Sequence, residues 1–117
     1  MAEQEGVRKA LVAIRADTAE RLTGLEREFR ALIESSSVAG LDDEHDPEGA
    51  TIAFEREHAA ALLAQARDHL AQVDAAMLRL AEGRYGRCET CGQPIGAERL
   101  AARPVTTTCI ACVSRRP

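Results

Sequence analysis

The stretch 59-AAALLAQARDHLAQVDAAMLRL-80 decides the fold. Within it Ala59, Leu63, Ala66, Leu70, Val73, Met77 and Leu80 alternate by four and three without a slip. That is the heptad seam of a coiled coil, narrower than the apolar face of a helix in a globular layer. Ile52 carries the seam toward the N-terminus. Upstream, Val7, Leu11, Ile14, Thr18, Leu22, Leu25, Phe29 and Leu32 form a second helical seam. Helices of about 30 residues are roughly 45 Å long. Neither can bury its seam alone, so the two must pair.

The connection between them is rich in helix breakers: Ser35, Ser36 and Ser37, then Gly40, then Asp46-Pro47-Glu48-Gly49. This predicts an antiparallel hairpin over residues 1–82 with a tip loop at about 35–50. Asp46 reads as an N-cap, because its carboxylate accepts from open amides, and Pro47 as the first helical residue, where its missing N–H costs nothing. Gly6 and Gly24 lie inside the first helical pattern. Each costs about 1 kcal/mol relative to alanine, and Gly24 is the expected weak point.

Composition agrees with slim helices. Of 117 residues 45% are apolar, yet 22 are alanine and the only aromatics are Phe29, Phe54 and Tyr85. An all-β sandwich and a two-domain enzyme with a cleft between lobes are both excluded. The net charge is −4, made up of −1 over residues 1–41, −5 over 42–50, −2 over 51–82 and +4 over 83–117. A chain that binds DNA through clustered cations is not built this way. No apolar run approaches the roughly 18 residues needed to cross a bilayer, and the N-terminus lacks a basic-then-apolar signal layout. A cytoplasmic protein is expected, in which cysteines are reduced and available to a metal.

At Gly83 the chain changes character. Residues 83–117 hold all four cysteines, three of the four prolines and four of the eight glycines. Tyr85, Ile95, Leu100, Val105, Ile110 and Val113 are too few to hold this stretch folded without a staple. The pattern Cys88-x2-Cys91-x17-Cys109-x2-Cys112 supplies one. Two such pairs bring four thiolates to the corners of a tetrahedron around one structural Zn2+, with Gly92 allowing the turn after the first pair. A redox pair would need a βαβ surround, an iron–sulfur cluster uses other spacings, and a zinc deaminase needs an open metal position beside an acid.

Asp42, Asp43, Glu44, Asp46 and Glu48 surround His45 at the tip. An N-cap accounts for one of these acids, so a working acidic tip and a solvated loop both stay open. His45, His58 and His69 are not spaced as a metal set. Arg84, Arg87, Arg99, Arg103, Arg115 and Arg116 could form a patch on the cysteine module. Lacking interleaved aromatics, that patch suits protein docking or solvation better than a nucleic-acid platform. There is no Ser/His/Asp arrangement and no phosphate loop, so no enzyme is expected.

The run Gly83-Arg84-Tyr85-Gly86-Arg87-Cys88-Glu89-Thr90-Cys91-Gly92, then Ile95, then Arg99-Leu100-Ala101-Ala102-Arg103-Pro104, then Cys109-Ile110-Ala111-Cys112, closely resembles the C4 zinc-finger signature of the DksA/TraR family of bacterial transcription regulators. The acidic-tipped hairpin extends the resemblance over most of the chain. The resemblance implies a protein that binds RNA polymerase and not DNA. Its hairpin would enter the secondary channel, the pore by which nucleotides reach the active centre, and its zinc module would sit at the channel rim. The family tip motif, Asp-x-x-Asp-x-Ala, fits in two registers. Asp43 and Asp46 supply the aspartates with Glu48 where alanine is expected, whereas an ungapped count back from Cys88 aligns His45, Glu48 and Ala50. Asp43 and Asp46 are the preferred tip residues, with Glu48 and Ala50 second. Arg84, Arg87, Arg99 and Arg103 are the docking candidates.

The sequence therefore predicts a mainly α, monomeric RNA polymerase-binding regulator of transcription initiation with one structural zinc. The rival reading is a zinc-stapled coiled-coil adaptor for another protein.

Overall fold

A computed structural model describes residues 2–39 and 47–115. Two long helices dominate it, α1 over Ala2–Ala39 and α2 over Pro47–Ala81, followed by the short helices α3, Ala97–Ala102, and α4, Ile110–Ser114. The fold is a long antiparallel coiled-coil hairpin with a small C-terminal cysteine module. No strand occurs among the described residues, only an isolated antiparallel bridge between Arg87 and Pro94.

Both seams are the faces that are buried. On α1, Leu11 and Thr18 are buried while Val7, Ile14, Leu22, Leu25, Phe29 and Leu32 are half-buried. On α2, Ala59, Leu63, Ala66, Val73 and Leu80 are buried and Ile52, Leu70 and Met77 half-buried. The alanines explain the slim build, since small seam residues let two backbones approach closely and leave room for few large side chains. Leu11 and Val73 are the largest side chains with no exposure at all.

The chain divides into two compact units, one of residues 1–15 with 71–117 and one of residues 16–70. In the second unit the helices are stitched across by Thr18 Oγ1 against His69 Nδ1 at 3.3 Å and by Arg67 with Glu26 at 3.5 Å. In the first, Leu11, Ala76 and Leu80 form a cluster against which Val7, Met77, Tyr85 and Val105 pack. Arg15 reaches Asp74 beside it at 2.5 Å. Exposed ion pairs of this kind are screened by water and add little to stability, so the apolar seam carries the pairing. The composition break at 83 falls inside the first unit, because Tyr85 and Val105 belong to the same cluster as the helix residues.

The two ends of the tip connection are informative. Helix α2 starts at Pro47, as its fixed φ favours. Helix α1 runs on through Ser35, Ser36 and Ser37 to Ala39, so the serines read as breakers lie within the helix. Serine is only a mildly poor helix former, roughly 0.5 kcal/mol below alanine. Three in a row do not stop a helix already 33 residues long when Ser35 is reached. Gly83 does stop α2. Its N–H donates to the Leu80 carbonyl at 3.2 Å and that of Arg84 to Arg79 at 2.8 Å. With φ at +77° on Gly83, this is a Schellman ending.

Candidate functional site

Cys88 and Cys91 lie on a tight backbone turn. The Cys88 N–H donates to the Gln93 carbonyl at 2.8 Å, the Gly92 N–H to Cys88 at 2.9 Å, and the Ile95 N–H to Gly86 at 2.7 Å. Gly92 sits at φ +78°, where a side chain would be strained, which is the reason glycine follows the first pair. Cys109 and Cys112 are placed by α4. Cys109 is its N-cap and Cys112 lies one turn on, which puts both thiols on one side. Glu89 N–H to Thr107 carbonyl, 2.8 Å, ties the two halves together.

The four Sγ atoms lie within 4.8 Å of one another, and Cys91 Sγ is 3.7 Å from Cys109 Sγ. A tetrahedral zinc with bonds of about 2.3 Å has sulfur–sulfur edges of about 3.8 Å, so the donor set fits that ion. The thiols' acidities point the same way. Backbone amides of Cys109 and Cys91 stabilise the Cys88 thiolate and lower its pKa to about 6. Cys112, hydrogen-bonded to Cys109 and partly desolvated, is pushed up to about 12. Thiols this close cannot all ionise without a cation, and a divalent ion deprotonates its ligands outright. Cys88 and Cys112 are buried with Ile95, and Leu100 and Cys109 pack on them. Four protein ligands leave no open coordination position, so such an ion holds the fold.

The charged candidates are sorted by their partners. Arg84 is 2.5 Å from Glu82 and 3.9 Å from Glu89. Arg87 reaches the Gly92 carbonyl at 3.4 Å. Arg99 is half-buried, donating from Nε to the Thr108 carbonyl at 2.8 Å and from Nη2 to Thr106 Oγ1 at 3.3 Å, so it braces the loop that leads into the second pair. Arg103 is exposed. The sequence reading missed Arg79, which is buried and donates to the Val105 carbonyl at 3.4 Å. Its partner lies 26 positions away, beyond the reach of any local pattern.

Asp42, Asp43, Glu44, His45 and Asp46 lie outside the described residues. Glu48 and Ala50 fall in the first turn of α2, with Ala50 exposed. His69 is spent on Thr18, and the metal-ligand cluster consists of the four cysteines without His58 or His69. No helix among the described residues is long and apolar enough to cross a membrane.

Comparison with known proteins places these features. The family model described as the prokaryotic dksA/traR C4-type zinc finger matches residues 83–116. The module is thus a C4 zinc finger, and its zinc is structural. Among curated relatives, an uncharacterized protein, YteA, of Bacillus subtilis is 39% identical over 66 residues, covering 56% of this chain and 28% of its own length. The RNA polymerase-binding transcription factor DksA of Caulobacter vibrioides is 41% identical over 49 residues, covering 42% of this chain and 34% of its own length. The matched segments therefore span about a third of those relatives. Solved structures extend the likeness along the chain. The transcription factor DksA2 from Pseudomonas aeruginosa superposes with a TM-score of 0.82 at 31% identity, over 98% of this chain and 83% of that one. The DnaK suppressor protein from Agrobacterium tumefaciens superposes with a TM-score of 0.58 at 27% identity, over 96% and 92%. Because the likeness to the Pseudomonas protein runs through hairpin and cysteine module alike, this chain belongs to the DksA/TraR family.

Proposed function

We propose that the chain is a cytoplasmic regulator of transcription initiation that binds RNA polymerase directly as a monomer, makes no sequence-specific contact with DNA, and catalyses no reaction itself. The observation that carries this reading is the superposition on a transcription factor over almost the whole chain, and relatives named as RNA polymerase-binding factors support it. In this reading the acidic-tipped coiled coil inserts into the secondary channel and Asp43 and Asp46, with Glu48 and Ala50 beside them, act near the catalytic centre. Cys88, Cys91, Cys109 and Cys112 hold the zinc that staples the base, and Arg84, Arg87, Arg99 and Arg103 face the rim. Charge supports the polarity of the arm, with −5 over residues 42–50 and +4 over 83–117.

Binding and activity are then separable. Asp43→Asn with Asp46→Asn leaves polymerase affinity within a few-fold, since docking energy concentrates away from a tip of small contact area, but abolishes the effect on promoter-complex lifetime. If the acids only cap α2, the double variant loses about 1 kcal/mol of stability and regulates as well as the parent, which overturns the tip mechanism. Polymerase failing to co-purify with tagged chain overturns the whole reading in favour of an adaptor for another protein.

A further inference from the structure

Helices α3 and α4 border an open groove of about 900 Å³ on the cysteine module. Its lining differs from the rest of the basic stretch. Arg99 spends its guanidinium on Thr108 and Thr106 and so forms part of the wall. Arg103, just after α3, and Arg115, just after α4, both line the groove, are exposed, and have neither an ion pair nor a side-chain hydrogen bond among the described residues. Ile110, the first residue of α4, opens onto the same groove and is 64% exposed. Three of the zinc ligands, Cys91, Cys109 and Cys112, also line the groove, with Glu98 as its one carboxylate, so the cations free to meet a partner there are Arg103 and Arg115.

An exposed aliphatic side chain flanked by two uncommitted arginines is the composition of a protein-docking centre, where arginine is enriched and apolar anchors supply the burial. It is a poor nucleic-acid platform, since the groove holds no aromatic on which a base could stack. We infer that this groove docks an acidic peptide segment of RNA polymerase that carries an apolar residue between its acids, the apolar residue seating on Ile110 and the acids pairing with Arg103 and Arg115. The inference rests on the function proposed above and narrows its docking surface.

The test measures affinity of the full zinc-loaded chain for purified polymerase as a function of salt. Arg103→Glu with Arg115→Glu weakens binding tenfold or more and flattens its salt dependence, because lost counter-charges no longer respond to screening. Ile110→Ser weakens it about fivefold with the salt dependence unchanged. Zinc content and helicity are checked for each variant. Should charge reversal disturb either, Arg103→Gln with Arg115→Gln serves instead, with a threefold or greater loss expected. Polymerase affinity within twofold of the parent in a folded double variant overturns the inference alone. The same holds if the arginine variants lose binding to duplex DNA and keep binding to polymerase. A parent chain that does not bind polymerase overturns the proposed function and the inference with it.

Discussion

The Tyr85 hydroxyl donates to the Pro104 carbonyl at 2.7 Å while its ring packs against Leu11, Ala76 and Leu80. One residue thus joins the first turn after α2 to the segment between α3 and the second cysteine pair. Tyr85→Phe keeps the ring and loses the hydrogen bond, and should cost about 1 kcal/mol, read as a fall in melting temperature with zinc content unchanged. Burial raises the Tyr85 pKa above the ordinary tyrosine value, outweighing the nearby Arg79 guanidinium, which lowers it. The neutral phenol is therefore the form that stabilises the fold. Its contribution is complete below the unfolded pKa near 10 and is lost as pH rises through the higher folded value. The parent should lose stability across that alkaline window more steeply than Tyr85→Phe, and parallel curves would show that the hydroxyl contributes nothing. None of this was legible in the sequence, where Tyr85 read only as one of the module's few apolar residues, because its partner is 19 positions away.

Two glycines predict opposite outcomes for the same substitution. Gly24 lies in the interior of α1 with nothing within 4 Å of where a Cβ would sit. Gly24→Ala should therefore stabilise the chain by up to about 1 kcal/mol, seen as a rise in melting temperature. Gly83 has equally open space but φ at +77°. Gly83→Ala should cost about 1 kcal/mol through strain at the helix end. The seams give a stronger contrast. Val73 is wholly buried and Ala75, two residues on, is exposed. Val73→Asp should destabilise by several kcal/mol by burying a charge, whereas Ala75→Asp should shift stability by less than about 0.5 kcal/mol. Equal effects would mean that the pairing face has been misassigned. The helices were legible because a heptad is a local pattern that needs no knowledge of the partner. The end of α1 was not, since whether Ser35, Ser36 and Ser37 break a helix depends on what precedes them. Arg79 was missed for a related reason: its cover arrives from residue 105, beyond any window in which periodicity speaks.

Zinc should govern more of the molecule than the cysteine stretch alone. Cys88, Cys112 and Ile95, with Leu100 and Cys109 packed on them, form one cluster, and the second, at the base of the hairpin, mixes Leu11, Ala76 and Leu80 from the long helices with Tyr85 and Val105 from beyond residue 83. The cysteine spacing made the donor set readable, because metal geometry fixes it locally, but nothing in the spacing reveals that Tyr85 and Val105 cover the helices. Metal binding supplies folding free energy on the order of 10 kcal/mol in such modules. Removing it by a strong chelator, or by Cys109→Ser, should unfold residues 83–115 and strip that cover. Amide exchange should then quicken in 83–115 and also in α1 around Leu11 and α2 around Ala76 to Leu80, with the helical circular dichroism largely retained and zinc restoring protection to the chelated parent. The coupling follows from the shared cluster: an uncovered Leu11 or Leu80 meets water, and Arg79 loses the Val105 carbonyl it donates to. A stapled module independent of the hairpin makes a different prediction, in which exchange quickens in 83–115 and stays at the parental rate in both long helices. Exchange measured by mass spectrometry on the same sample before and after chelation distinguishes the two. Unchanged protection at Leu11 and Ala76 would show that the zinc staples only the segment in which its cysteines lie.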